Sequence, residues 1–165
     1  NWINDSKFNK LLFQGWKPVS LQDIIVQFTD EKNNESAIHF AQRSIIDDKL
    51  IGWCGIHCWN KISQSAELRT FVGIEYWGSG YGTEQYAMLL KLGFERYNLN
   101  KLYVGTHEKN LGTLKIYEKL GFSKEGVLRQ DIFRDGNFFD VHKYSILRSE
   151  YNEKTKNFCD KLLVD

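Results

Sequence analysis

Apolar residues recur along this chain at two spacings, three-to-four and two, and the alternation between them predicts its elements. Leu21, Ile24, Ile25 and Phe28 fall at helical spacing behind Ser20, with Asp23 three residues on, the signature of a capped helix start. Residues 30–35 read as a polar loop. Residues 36–42 and 50–59 read as strands joined by the polar turn Asp47-Asp48-Lys49, and 66–74 as a third strand. Over 83–97 the pattern is helical again, with Tyr86, Leu89, Leu90 and Phe94 on one stripe. A short strand over 102–105 precedes a helix over 111–120, where Leu111, Leu114, Tyr117 and Leu120 share a side and Gly121 takes the position after the cap. Residues 127–133 and 138–147 alternate like a hairpin turning at Asp135-Gly136. Residues 152–165 read as a polar tail or a short terminal helix. The order predicts one mixed α/β domain over 1–165.

Composition narrows the function classes. At 165 residues, with 42% hydrophobic and 26% charged positions, the chain can bury a sizeable core. Its 22 basic and 21 acidic residues leave a net charge of +1, which offers no basic stripe for nucleic acid or anionic membrane. No apolar run reaches the ~18–20 residues of a membrane span. Cys54, Cys58 and Cys159, odd in number and without a signal-peptide pattern, suggest reduced thiols and a cytoplasmic protein. Within the predicted strand, Cys54 and Cys58 share a face and His57 points to the other, which disfavours a metal cluster there.

The chemistry is concentrated in Ile74-Glu75-Tyr76-Trp77-Gly78-Ser79-Gly80-Tyr81-Gly82-Thr83-Glu84, where a strand gives way to a helix. Glycines permit positive φ and close approach of a ligand. The helix that follows aims its unpaired amides and positive dipole end at the same place, which makes an anion seat. A nucleoside-triphosphate loop would need a lysine after the glycines, and a dinucleotide loop a Gly-x-Gly-x-x-Gly spacing; neither is present.

These residues resemble the acetyl-CoA signature of the GCN5-related N-acetyltransferases, Arg/Gln-x-x-Gly-x-Gly/Ala, with Gly80 and Gly82 in the glycine places and Trp77 where Arg or Gln is usual. That departure is similar to the branch of ribosomal-protein and diamine acetyltransferases. A second match runs from Asn110 and Thr113 through Tyr117-Glu118-Lys119-Leu120-Gly121-Phe122 to Glu125-Gly126, and Gly136 and Asp140 also fit that branch. The resemblance covers roughly residues 2–151. The family opens with a strand and most of a helix before a segment like Trp2-Ile3-Asn4-Asp5, so a missing N-terminal strand is expected.

The resemblance implies an N-acetyltransferase that passes the acetyl group of acetyl-CoA directly to a primary amine, without a metal. Main-chain groups of Gly78, Ser79, Gly80, Tyr81, Gly82 and Thr83, with Trp77, would hold the pyrophosphate. Phe71, Val72 and Gly73 would pair with the pantetheine arm like an added strand, the Val72 amide lying near the thioester carbonyl. Tyr117 takes the general-acid place, Asn110 would bond the pantetheine arm, and Glu67 is the best general base. His107 is an alternative base, and Glu75 and Glu84 are weaker ones. Acceptor contacts would come from residues 8–28 and 134–139, both aromatic-rich. Without a dense acidic cluster, spermidine is not favoured as the amine, and assembly leaves room for a homodimer. Another acyl-CoA donor on the same scaffold, or a non-catalytic CoA-binding module, stands as the alternative.

Overall fold

The computed structural model describes residues 2–10, 18–33, 37–151 and 153–163, without the side chains of 8, 9, 32 and 154. A 3-10 turn (Trp2–Asn4) and helix α1 (Ser6–Asn9) precede helix α2 (Leu21–Asn33) and strands β1 (Ile38–Arg43), β2 (Leu50–Asn60) and β3 (Ser65–Val72). A 3-10 turn (Ile74–Tyr76) leads to α3 (Tyr81–Lys91), β4 (Lys101–His107), α4 (Leu111–Lys119), β5 (Ser123–Arg134), β6 (Asn137–Leu147) and α5 (Glu153–Leu162). The strands form one sheet in the order β1-β2-β3-β4-β6-β5. Every neighbouring pair is antiparallel except β3 and β4, the two strands joined through α3. The mixed α/β expectation holds.

Alternation along the strands separates two faces. Cys54, Ile56, Ala66 and Leu68 turn to one side, where they pack with Tyr86, Leu89 and Leu90 of α3 and Tyr117 and Leu120 of α4. The other side carries Trp53, His57 and Phe71, and α2 lies on it with the Phe28 ring 5.5 Å from Trp53. The start of α2 is a capping box: Ser20 Oγ accepts from the Asp23 amide at 3.1 Å, and the Asp23 carboxylate accepts from the Ser20 amide at 2.9 Å. At the turn between β5 and β6, Asp135 (φ 48°) and Gly136 (φ 79°) both take the left-handed conformation that a tight hairpin requires.

Several expectations are corrected. Helix α2 runs on to Asn33, because the polar residues after Thr29 lie on its own side: Gln27 donates to Glu31 one turn later. Leu21 and Ile25, assigned to its apolar face, are 74% and 48% exposed, and burial falls instead on Phe28 and its neighbours. Strand β3 ends at Val72, and Ile74 belongs to the 3-10 turn. The helix over 83–97 starts earlier and widens into π turns over Leu92–Arg96. Leu111 is 64% exposed, outside the stripe assigned to it. Cys58 does not share a face with buried Cys54: its φ of 49° and the register shift after His57 make a bulge that carries it outward. The terminal segment takes the second of its two readings, a short helix. Helix α5 docks on α3, burying Cys159 completely and pairing Asp160 with Lys91.

Candidate active site

Strands β3 and β4 pair over only three positions, Ser65↔Lys101, Ala66↔Leu102 and Glu67↔Tyr103. Beyond Glu67 they diverge, β3 following β2 as far as Val72 and β4 following β6 as far as His107. A fork opens in the middle of the sheet, and backbone groups on its inner edges need partners. The Gly73 amide donates to Ile51 O at 2.9 Å, which sets the antiparallel phase: residues 67, 69, 71 and 73 face β2, and Leu68, Thr70 and Val72 turn their amides and carbonyls into the fork. Of the three residues assigned to strand-like pairing, Val72 therefore has the position for it. Phe71 and Gly73 do not, since the Gly73 carbonyl is also taken, by the Tyr76 amide. The Val72 carbonyl accepts the Trp77 indole N–H at 2.8 Å, which ties the glycine loop to the end of β3 and leaves the Val72 amide as the donor.

The loop delivers its glycines for two different reasons. Gly78 (φ 79°) and Gly80 (φ 93°) take a conformation costly to other residues, and a Cβ at either would stand in open space. Gly82 has ordinary φ, but its Cβ would come within 3.2 Å of Ile116 on α4. Gly80 is the N-cap of α3, with its carbonyl already accepting from Thr83 and Glu84 and no side chain capping the helix. The amides of Tyr81 and Gly82 precede the first intrahelical bond, and with the positive helix end they offer donors to an anion. Ser79 and Thr83 flank them. The cradle fits the pyrophosphate of a coenzyme.

Tyr117 lies at the floor of the fork on the α3 and α4 side, 1% exposed. Its hydroxyl donates to Gly105 O at 3.3 Å and stands 3.1 Å from the Tyr86 hydroxyl. Burial, then the neighbouring Tyr86, hold its pKa well above the usual phenol value. Tyr86, read from the sequence only as core, is thus a polar neighbour of the predicted acid; burial raises its pKa, and the nearby Thr70 side chain on β3 partly offsets that. Phe122 packs on Tyr117 with ring centroids 5.4 Å apart.

Glu67 sits at the apex, on the opposite face from Tyr117, in line with His57 on β2. Arg69 grips it, Nε donating to Oε2 at 2.7 Å and Nη2 forming an ion pair with the same oxygen at 2.6 Å. Sequence reading passed over Arg69, although a residue two positions along a strand shares its face. Cys58 Sγ lies 3.9 Å from the same oxygen. Asn110 caps α4, its side-chain oxygen accepting from the Thr113 amide at 3.3 Å. His107 is buried, its Nδ1 accepts from the Lys109 amide at 2.9 Å, and burial lowers its pKa. Glu75 accepts from the Trp2 indole at 3.0 Å, and Glu84 lies in the first turn of α3. Of the aromatic segments expected to meet the acceptor, residues 11–17 lie outside the described ones. Those described put Phe28 beside Trp53 at 5.5 Å and Phe139 beside His107 at 4.7 Å; Trp2, outside both segments, lies 5.8 Å from Phe71.

The sequence profile of the acetyltransferase (GNAT) domain matches residues 1–123. The spermidine N(1)-acetyltransferase of Vibrio cholerae is 30% identical over 160 residues, 94% of this chain and 91% of that protein. The N-acetyltransferase p20 of Bacillus licheniformis is 30% identical over 130 residues, 79% of this chain and 73% of that one. A crystal structure of the V. cholerae spermidine N-acetyltransferase with CoA and spermine superposes with a TM-score of 0.83 at 25% identity, covering 91% of this chain and 88% of that one. A dodecameric structure of the same enzyme gives 0.75 at 26% identity, over 84% and 81%. Free amides at the start of α3, a forked sheet and a buried tyrosine thus accompany sequence likeness over most of the molecule. The chain belongs to the GNAT acetyltransferases, acyltransferases that carry the acetyl group of acetyl-CoA to an amine.

Proposed function

We propose that this chain acetylates a primary amine by direct attack on the thioester, with Glu67 and Tyr117 as its base and acid. The observation that carries the reading is the fork, which puts a carboxylate on one face of the sheet, a phenol on the other, and the Val72 amide on the edge between them. The diphosphate sits on the amides that open α3, and the pantetheine arm enters the fork, with the Asn110 side chain at its mouth. An acceptor ammonium approaching on the α2 face gives its proton to Glu67, directly or through water. The free amine forms the C–N bond as the C–S bond breaks, Tyr117 protonates the departing sulfur, and the second proton leaving the nitrogen restores the Tyr117 phenol through water. The Val72 N–H stabilises the carbonyl oxygen as it gains charge. Arg69 holds Glu67 facing the fork.

The acceptor floor is formed by Trp2, Phe28, Trp53 and Phe71, and the one acidic side chain at the fork is already engaged by Arg69. That favours an amine attached to an apolar or peptide body. A polyamine is the second reading, because the V. cholerae relatives act on spermidine. Incubating the protein with acetyl-CoA and a panel of peptides, aromatic amines and spermidine, with products read by mass, decides between them. Tyr117→Phe should lower kcat about 100-fold while leaving CoA affinity within twofold, and full turnover by that variant removes Tyr117 as the acid.

Self-association goes with the exposed Leu21, Ile25 and Val26 of α2 and the dodecameric relative; it is an oligomer, not specifically a homodimer, that these support. Among the described residues no helix is long and apolar enough to cross a membrane.

A further inference from the structure

Three polar side chains that acyl transfer does not use converge under α2. Glu31 comes from that helix, His39 from β1 and His57 from β2, and their donor atoms all lie within 4.8 Å of one another. Glu31 Oε2 stands 2.8 Å from His39 Nε2 and 3.8 Å from His57 Nδ1. The close approach is not oriented as a hydrogen bond. Glu31 Oε2, both nitrogens of His39 and Nε2 of His57 have no hydrogen-bond partner among the described residues. His57 is 97% buried, and Glu31 and His39 keep 23% and 15% of their side-chain surface. Buried polar atoms left unsatisfied cost about 1–3 kcal/mol each, so four together call for a missing partner.

The surroundings hold the three in place. Gln27 donates to Glu31 Oε1 at 3.0 Å, which turns Oε2 towards the histidines. The His39 ring is wedged edge-on against Phe28 at 4.7 Å and His57 at 4.6 Å, with Trp53 at 5.9 Å. Gly55 makes room for His57: a Cβ there would lie 2.9 Å from its Nε2. The nearby positive charge, Arg69, is drawn to Glu67 by a hydrogen bond and an ion pair.

From this geometry we propose that Glu31, His39 and His57 bind a divalent transition-metal ion of the zinc class, which pins α2 to the first two strands. Two imidazoles and a carboxylate suit such an ion and leave a fourth position for water. Bond lengths of ~2.0–2.2 Å require the side chains to close by on the order of 1 Å around it. The carboxylate held by Gln27 provides the outer hydrogen bond that orients a metal ligand. The site adjoins the acceptor side of the fork, His57 lying opposite Glu67 and His39 against Phe28 and Trp53, but no step of the acyl transfer uses its three side chains.

Titrating chelator-stripped full-length protein with zinc chloride, read by calorimetry and by competition with a chromophoric chelator, tests it. One ion per chain is expected, with affinity lowered at least tenfold by Glu31→Gln and by His39→Asn, while CoA uptake is unchanged in both. No zinc uptake by the parent protein, or equal affinity in the double variant, overturns the proposal. Where a variant loses CoA uptake and has therefore misfolded, cobalt(II) loaded into the parent protein decides. Intense visible bands of a four- or five-coordinate site support the proposal, and the weak bands of a six-coordinate ion overturn it.

Discussion

At the scale of single residues, Tyr117 is positioned by the way its helix ends. The Phe122 amide bonds Tyr117 O at 2.9 Å and the Gly121 amide bonds Glu118 O at 3.2 Å, the two hydrogen bonds of a Schellman cap. The apolar contact that accompanies such a cap is the one between Phe122 and the Tyr117 ring. One six-residue run therefore stops α4 and clamps the proposed acid. The cap depends on Gly121, whose φ is 80°. Gly121→Ala should cost about 1–2 kcal/mol, measured by urea denaturation, and should also loosen Tyr117, so that kcat falls further than the folded fraction accounts for. A variant that loses stability but keeps the parent kcat would show that the cap does not orient the tyrosine. The raised pKa of Tyr117 sets a pH expectation with a definite sign. The acid acts in its protonated form, so its share of the rate is retained through pH 10, and a rate that drops as pH rises through 9 would have to come from another group. By linkage, a pKa raised by folding contributes stability below the unfolded value, which is lost as pH climbs above it.

At the scale of elements, helix α3 carries the proposed coenzyme seat and the buried stripe at once, and the stripe was legible from its spacing. Tyr86, Leu89, Leu90 and Phe94 repeat at helical spacing and are all buried, while Gly78 and Gly80 before them take positive φ with open space where a Cβ would stand. Gly80→Glu should abolish CoA binding in calorimetry, because it strains a φ of 93° and places a carboxylate against the diphosphate. Gly80→Ala keeps the charge unchanged and should weaken binding much less. Retained affinity in the glutamate variant would move the seat elsewhere. What could not be read from the pattern has common physical causes. The polar residues from Asp30 to Asn33 looked like a loop, but Glu31 continues the sheet-facing side of α2 as a polar residue, so the helix runs on without an apolar signal. The bulge at Cys58 breaks the period of two that put it beside Cys54, and periodicity contains no sign of a bulge. Which backbone edge faces the fork depends on register, so Phe71, Val72 and Gly73 could be grouped from sequence but not told apart. The Glu31, His39 and His57 cluster joins three elements and has no local signature at all.

At the scale of the whole molecule, the fork divides the sheet into β1-β2-β3 and β4-β6-β5, held together by three register pairs and by the helices packed across one face. On that face the hydroxyls of Tyr86 and Tyr117 lead to Gly105 O on β4, where the strand backbones no longer touch. A pantetheine arm lying along β3 would supply amide and carbonyl groups that the missing ladder lacks, so binding should tie the halves together as well as fill a pocket. Free CoA at 100 times its Kd should raise the unfolding free energy by about 2.7 kcal/mol. The location of that gain is the stronger test, because the seat and the fork protect different amides. Hydrogen exchange should slow at Tyr81 and Gly82 when the diphosphate binds, and at Val72 when the arm enters the fork. Adenosine 3′,5′-bisphosphate lacks both the pantetheine arm and the diphosphate, and should protect neither set strongly. Dephospho-CoA, which keeps both, should protect both. Slowing confined to the start of α3 with intact CoA would leave the diphosphate on its amides but put the thiol end outside the fork. Val72 and Tyr117 would then have no reacting group to act upon.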